Sequence, residues 1–150
     1  MPLSRAVMDF IPSLTATAFT GLTGFTLFGP LFGNSFSKAL ATEKNDPKWR
    51  TRSFSLSPTA LFAVSLGSNF VQSALHMHVL MAAGMIQGSQ LTFYEGEIFT
   101  LVSWFVYTVM PLFDEWWWQA RPASICALQA VYKLISLSGT TAIYLGWWNA

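Results

Sequence analysis

Lys133 is the residue of this chain whose type and position most directly suggest chemistry. It lies in a long apolar stretch, residues 122–148, about 15 Å from the nearer end of that stretch at about 1.5 Å per residue. An ammonium at the centre of a membrane helix costs about 2.5 to 3.5 kcal/mol, so we expect a compensating role. A buried amine suits a general base or a Schiff base. A structural ion pair, or a side chain that reaches the headgroups, is the alternative.

Two apolar stretches carry polar residues at helical spacing, which predicts two helices with polar faces. The last stretch has five such residues in steps of 3, 4, 3 and 4: Cys126, Gln129, Lys133, Ser136 and Thr140. The second stretch has four in steps of 4, 3 and 4: Ser65, Asn69, Gln72 and His76. Both faces are expected to line a polar interior. The predicted ligand-binding residues are Asn69, Gln72, Gln129, Tyr107 and Ser136.

Depth along the helices predicts which groups can meet. Asn69 and Gln72 lie at about 17 and 21 Å, so Lys133 is expected to meet Asn69, Gln72 and Gln129. Glu97 and His76 lie at about 24 and 27 Å, which predicts a second pair. We therefore take Lys133, Glu97 and His76 as the candidate catalytic groups, with Lys133 and Glu97 handling protons and His76 as their partner.

Other polar residues favour simpler roles. Glu95 stands at the start of the third helix, where an acid complements the helix dipole. His76 and His78 are two residues apart and point to different sides of a helix, so no metal site is predicted. The chain has no GxGxxG motif, and no cofactor is expected.

Composition assigns the chain to the integral membrane proteins. Of its 150 residues, 53% are hydrophobic and only 10% are charged, against about 25% charged in soluble domains. So short a chain has too little interior to hide that apolar mass. Disordered proteins are apolar-poor and charge-rich, so this composition excludes that class. A net charge of +1 with eight basic residues argues against a nucleic-acid binder. The single cysteine excludes an internal disulfide.

The apolar stretches predict a single all-α domain, residues 1–150, that forms a four-helix transmembrane bundle with up-down-up-down topology. The helices are placed at about residues 11–32, 58–83, 98–113 and 122–148, with a basic loop at residues 34–57. Ser57 and Pro58 are expected to cap and open the second helix. Ala16, Thr20 and Gly24 form a small-residue row on the first helix, which favours close helix packing.

The distribution of basic residues predicts the orientation. The connections after the first and third helices hold six: Lys38, Lys44, Lys48, Arg50, Arg52 and Arg121. The other side has only Arg5, so the two connections are placed in the cytoplasm and both termini on the non-cytoplasmic side. Trp116, Trp117 and Trp118, with Trp147 and Trp148 at the far end, are expected at the membrane interfaces. The location is an endomembrane in a eukaryote or the inner membrane in a bacterium.

Two motifs resemble a known family. The run Phe28-Gly29-Pro30-Leu31-Phe32-Gly33, followed by Phe36 and Lys38, is similar to the early turn of a family of small four-helix membrane proteins of unknown function, found in bacteria and fungi. The last helix resembles that family too, through Arg121, Pro122, Ala130, Tyr132, Ser136 and Trp147. Phe36 stands where that family usually has Trp, and Val131 where it has Gly. The resemblance implies the fold, and it assigns no role to Lys133.

Two functions are compatible with these features. The first is a polar intramembrane pocket, open toward the non-cytoplasmic half, that binds a small lipophilic molecule with a polar head. Catalysis of an acid–base rearrangement or cyclisation is its extension, which would make the protein a cofactor-independent isomerase or cyclase. The alternative is a non-enzymatic membrane subunit or assembly protein whose polar faces form interhelical hydrogen bonds. The expected partners are the bilayer and a lipophilic ligand, with a homo-oligomer or membrane partner left open and no nucleic acid.

Overall fold

The structure, a computed structural model, describes residues 2–44 and 57–148, and most side chains from residue 10 onward. Every regular element in these two ranges is helical. Helix α1 spans Pro2–Thr26 and continues into a π-helical turn, Leu27–Leu31. Helix α2 spans Gly33–Glu43 and α3 spans Pro58–Gln87. Helix α4 runs over Phe93–Trp118 with a π-helical turn at Phe105–Val109, and α5 spans Ala123–Trp148. The all-α prediction is confirmed.

Local chemistry fixes the ends of the helices. The Ser57 hydroxyl accepts a hydrogen bond from the Ala60 amide at 3.2 Å, and Pro58 occupies the first turn, as predicted. Gly88 ends α3 in the left-handed region with φ 75°, which favours glycine. Thr92 and Glu95 then form a capping box that opens α4. The expectation that Glu95 serves a helix N-terminus is confirmed.

Helix α5 packs against α1, α3 and α4 and forms the centre of the bundle. Small residues allow the close contacts. A Cβ on Gly139 would overlap the Phe19 ring of α1, and one on Gly96 of α4 would lie 2.5 Å from the Leu145 side chain. Ala16 and Thr20 of the predicted small-residue row are buried as well. Helix association therefore depends on small side chains at the contacts.

Two prolines explain the two π-helical turns. Pro30 lies within Leu27–Leu31, and Pro111 lies two residues after the end of Phe105–Val109. Proline has no N–H, so the carbonyl four residues earlier loses its usual donor, and the ring crowds the preceding turn. A wider i to i+5 turn relieves that crowding and displaces the neighbouring side chains.

The largest differences from the predicted boundaries are in three places. The described part of the first helix begins at Pro2, and the third is ten residues longer than the sixteen predicted, at 93–118. The predicted loop at residues 34–57 is not all loop, because helix α2 occupies its first part. Phe36, Leu40 and Glu43 recur at steps of 4 and 3 and are half-buried, which explains why the segment is helical. Lys48, Arg50 and Arg52 lie outside the described residues, as does the side chain of Arg5.

Polarity is distributed unusually across the described residues. The interior contains Ser13, Thr17, Thr20, Ser73, His76, Thr100, Ser136, Thr140 and Thr141. Large apolar side chains face outward, including Phe25 (72% exposed), Leu75 (62%) and Val102 (58%). Among the described helices, Phe93–Trp118 is the one long and apolar enough to cross a membrane by length and composition, and 11% of its apolar window is buried. Such a helix is compatible with association of the chain with a membrane.

Candidate functional site

A groove on the side of the bundle contains the polar residues most relevant to function. It has a volume of about 450 Å³ and lies between α4 and α5, beside the end of α1. We call it the lateral groove, and its lining residues are Phe28, Tyr107, Thr108, Pro111, Leu112, Glu115, Gln129, Tyr132 and Lys133. Lys133, Gln129 and Tyr107 are predicted site residues, and this groove brings them together. The groove lies in the half of the bundle that ends at the turn between Trp118 and Ala123, whereas the predicted pocket opens toward the opposite half.

The two π-helical turns shape the lateral groove. Phe28 belongs to the first turn, and Tyr107 and Thr108 belong to the second. Pro111 also lines the wall. A π turn displaces the side chains of its own residues relative to a regular helix, and such turns occur often at functional sites. This role of Pro111 was not predicted, although a proline inside an apolar stretch is the signal that could have indicated it.

Lys133 makes one of the contacts predicted for it. Its half-buried ammonium donates a hydrogen bond to Gln72 Oε1 at 2.5 Å, across the α3–α5 contact. The Nζ atom also lies 5.6 Å from the centroid of the Tyr132 ring. Asn69 and Gln129, the other expected partners, bond elsewhere. Asn69 Oδ1 accepts from the Tyr132 hydroxyl at 3.5 Å, and Gln129 Oε1 accepts from Arg121 at 3.4 Å.

The predicted polar face of α5 points inward. Cys126, Ser136 and Thr140 are buried, and Gln129 and Lys133 are half-buried. The predicted polar face of α3 is only partly buried. Its exposure falls along the helix from exposed Ser65 through half-buried Asn69 and Gln72 to buried His76. The polar interior therefore lies beside the later turns of α3.

His76 belongs to a separate cluster of threonines. Its Nε2 lies 2.9 Å from Thr141 Oγ1 and 3.3 Å from Thr100 Oγ1, and the two hydroxyls are 2.6 Å apart. Thr141 is eight residues beyond Lys133 on α5, which separates the two sites by about 12 Å along the axis. Within the described residues Glu97 makes no hydrogen bond to His76, so the expected pairing is not found. The three candidate catalytic groups thus lie in more than one place.

An ion cluster closes the end of the bundle beside the lateral groove. The Arg121 guanidinium donates a short hydrogen bond to Glu115, and its Nε lies 3.4 Å from Glu43 Oε1. Burial lowers the pKa of Arg121, but the bond to Glu115 and the charges of Glu43 and Glu115 outweigh it, so the pKa lies above its usual value. The part that Glu43 takes in this cluster was not predicted, because helix α2 was not predicted.

The described residues offer no metal site. In residues 2–44 and 57–148, no three His, Cys, Asp or Glu side chains lie close enough together to hold an ion. The polar groups of the lateral groove are an ammonium, an amide, hydroxyls and one carboxylate. Such groups can hold a polar head by hydrogen bonds and charge while aromatic and aliphatic walls contact a chain.

Comparison with known proteins gives one match. The family model described as "Protein of unknown function (DUF1761)" matches residues 11–145. No curated protein and no solved structure matches the chain significantly. The expected resemblance to a family of unknown function is thereby supported.

Proposed function

The chain belongs to the DUF1761 family of proteins of unknown function, and from that premise we propose that it is a multi-pass membrane protein whose lateral groove binds a small amphiphile. The observation that carries the proposal is a half-buried lysine in a groove with apolar and aromatic walls, on a bundle whose outer surface is apolar. A polar head would contact Lys133 and its neighbours, and a hydrocarbon chain would lie against the walls.

The surface supports the membrane part of the proposal. Thirty large apolar side chains are exposed among the described residues, whereas hydroxyl groups and His76 fill much of the interior. A soluble monomer rarely exposes contiguous apolar patches larger than a few hundred Å². In hydrocarbon the same arrangement is favourable, because polar groups pair inside and apolar side chains face the lipid.

The ion cluster supports the topology. Glu43 and Arg121 are in contact, so the connections after α1 and α4 lie at the same end of the bundle. That end also contains Lys38, Lys44 and the three tryptophans 116–118, while the turn at residues 88–92 has no basic residue. By the positive-inside rule the basic end is cytoplasmic and both termini are non-cytoplasmic. The membrane is an endomembrane in a eukaryote or the inner membrane in a bacterium.

The positions of Lys133, His76 and Glu97 bear on the predicted acid–base catalysis. The lateral groove contains Lys133, but His76 lies in the threonine cluster and Glu97 is outside the groove lining. General acid–base catalysis requires the group within hydrogen-bond reach of the transferred proton. The arrangement therefore favours binding over an acid–base reaction by these three residues.

A second candidate is a non-enzymatic membrane subunit. The polar contacts between helices favour it, because Trp104 Nε1 donates to the Ala130 carbonyl at 2.8 Å and the threonine cluster joins α3, α4 and α5. Such bonds are worth about 0.6 to 2 kcal/mol each in a membrane bundle. In that role the lateral groove would hold no ligand.

Photo-crosslinking distinguishes the two candidates. The protein is reconstituted in phosphatidylcholine nanodiscs with a diazirine-bearing long-chain fatty acid or the fatty alcohol of equal length. Binding predicts that at least one probe labels the segments around Tyr107–Leu112 and Gln129–Lys133 in preference to the lipid-facing side of α3. Thr108→Trp fills the groove and should abolish that preference.

The matched control is Val102→Trp, which adds the same ring to the exposed face of the same helix and should leave labelling unchanged. Equal labelling of all lipid-facing surfaces, unaffected by Thr108→Trp, would contradict the binding function and favour the subunit.

A further inference from the structure

The charge of the lateral groove is unbalanced at its deep end. Lys133 is the single cationic side chain among the lining residues. Its ammonium donates to the neutral amide oxygen of Gln72, and no carboxylate of the described residues lies within ion-pair distance. A charge away from water is costly unless an opposite charge and hydrogen bonds compensate it. The groove therefore favours an anion beside Lys133.

The carboxylate of the groove does not provide this compensation. Glu115 lines the outer end, where its carboxylate is bound by Arg121, which also contacts Glu43. Lys44 Nζ lies 3.8 Å from the same Glu43 oxygen, so two carboxylates face two cations and the charges of the cluster are paired. The outer end is thus compensated, whereas the ammonium of Lys133 has no carboxylate of the described residues beside it, so a negatively charged head is favoured at the deep end.

Hydrogen-bond donors accompany Lys133. Arginine only donates, so the Gln129 oxygen faces Arg121 and the NH₂ of the amide is directed elsewhere. The hydroxyls of Tyr107 and Thr108 line the same groove. A group with several acceptor oxygens and a negative charge matches an ammonium accompanied by neutral donors.

From these observations we infer that the lateral groove binds a single-chain amphiphile with a carboxylate head. The carboxylate lies against Lys133, and the chain follows Phe28, Pro111 and Leu112 toward the lipid. This assignment rests on the proposed binding function and specifies its ligand class. Lys133 lies about 15 Å from the end of the bundle, well below the headgroup layer where phospholipid phosphates lie. The volume of about 450 Å³ suits a small molecule.

The two diazirine probes test the head group directly. At mildly alkaline pH in phosphatidylcholine nanodiscs, the fatty acid should label the groove at lower concentration than the alcohol. Lys133→Gln should weaken acid labelling about 10- to 100-fold, the range for a hydrogen bond to a charged group, and leave alcohol labelling unchanged. Lys133→Arg should retain most of the acid labelling because it keeps the charge.

One control variant and one further test variant accompany the lysine variants. Lys38→Gln removes an exposed cation outside the groove and should change neither probe. Thr108→Val keeps the shape of the side chain and removes one donor, so it should weaken acid labelling a few-fold even if Lys133→Gln fails to fold.

Each contrary outcome has a distinct meaning. Equal labelling by acid and alcohol, both unaffected by Lys133→Gln, would overturn the carboxylate assignment and leave groove binding intact. Absence of groove labelling by either probe would overturn both proposals. If phosphatidylglycerol in the nanodiscs displaces the acid at equal membrane concentration, the site recognises lipid headgroup phosphate, which also overturns the carboxylate assignment.

Discussion

At the scale of the residue, Lys133 and His76 illustrate what depth along a helix can and cannot predict. The contact of Lys133 with Gln72 is one that depth predicts, because both residues lie near the middle of their helices, although Asn69 at a similar depth bonds to Tyr132 instead. Depth carries no information about direction around the helix axis. The expected partner of His76 was therefore Glu97, whereas the structure places the threonines 100 and 141 against its ring. The contact of these threonines with His76 was not predicted, because a threonine hydroxyl in a helix can also bond to its own backbone.

The effect of Lys133→Met on stability follows from two opposed energies. The substitution removes an insertion cost of about 2.5 to 3.5 kcal/mol and a hydrogen bond from a charged donor worth about 1.5 to 3 kcal/mol. We expect the free energy of unfolding in detergent to stay within about 1 kcal/mol of the original or to rise. Reversible unfolding followed by tryptophan fluorescence measures this change. The matched control is Met81→Leu, an apolar exchange on α3. A loss of several kcal/mol would assign Lys133 a structural role.

At the scale of the element, the start of α3 was predictable and the turns that shape the site were not. Ser57-Pro58 signals a helix start by residue type, and the structure agrees. The short helix α2 was missed because its serines and lysine resemble a polar loop, and its buried face is recognisable only from Phe36 and Leu40. The π turn before Pro111 was missed because an apolar stretch has the same composition whether its turns are regular or wide.

The contact between α2 and the turn before α5 is expected to be energetically coupled. We predict a coupling free energy of about 1 kcal/mol in a double-mutant cycle of Glu43→Gln and Arg121→Gln, because the pair is largely shielded from water. Unfolding in detergent measures it. The control cycle combines Glu43→Gln with Lys38→Gln, which removes an exposed charge on the same helix as Glu43. Its coupling free energy should be zero within error. Equal coupling free energies in the two cycles would mean that the contact between Glu43 and Arg121 does not stabilise the packing of α2.

At the scale of the whole molecule, composition predicts a membrane protein, and the structure adds how polarity is arranged. Low charge content alone says that apolar residues exceed what a short chain can bury. The structure places many of them outside, with hydroxyls inside. The position of the lateral groove could not be predicted, because it depends on how the second half of α4 diverges from α5.

Single-cysteine labelling tests the proposed topology. In a Cys126→Ser background, Ser35→Cys and Gln119→Cys should react with a membrane-impermeant maleimide only after permeabilisation. Ser89→Cys at the opposite end should react in intact cells or vesicles of cytoplasm-in orientation, because the basic residues hold the other end in the cytoplasm. If Ser35→Cys and Ser89→Cys reacted from the same side, the chain would cross the membrane an even number of times between them. That result would contradict the proposed topology.

The most direct test of the central claim is a crystal structure of the protein grown in a lipidic mesophase supplied with the long-chain fatty acid. If the lateral groove binds the carboxylate, elongated density should lie in the groove, with its polar end about 3 Å from Lys133 Nζ and its chain along Leu112. A groove closed by its own side chains, or empty at a resolution that shows ordered water, would contradict it.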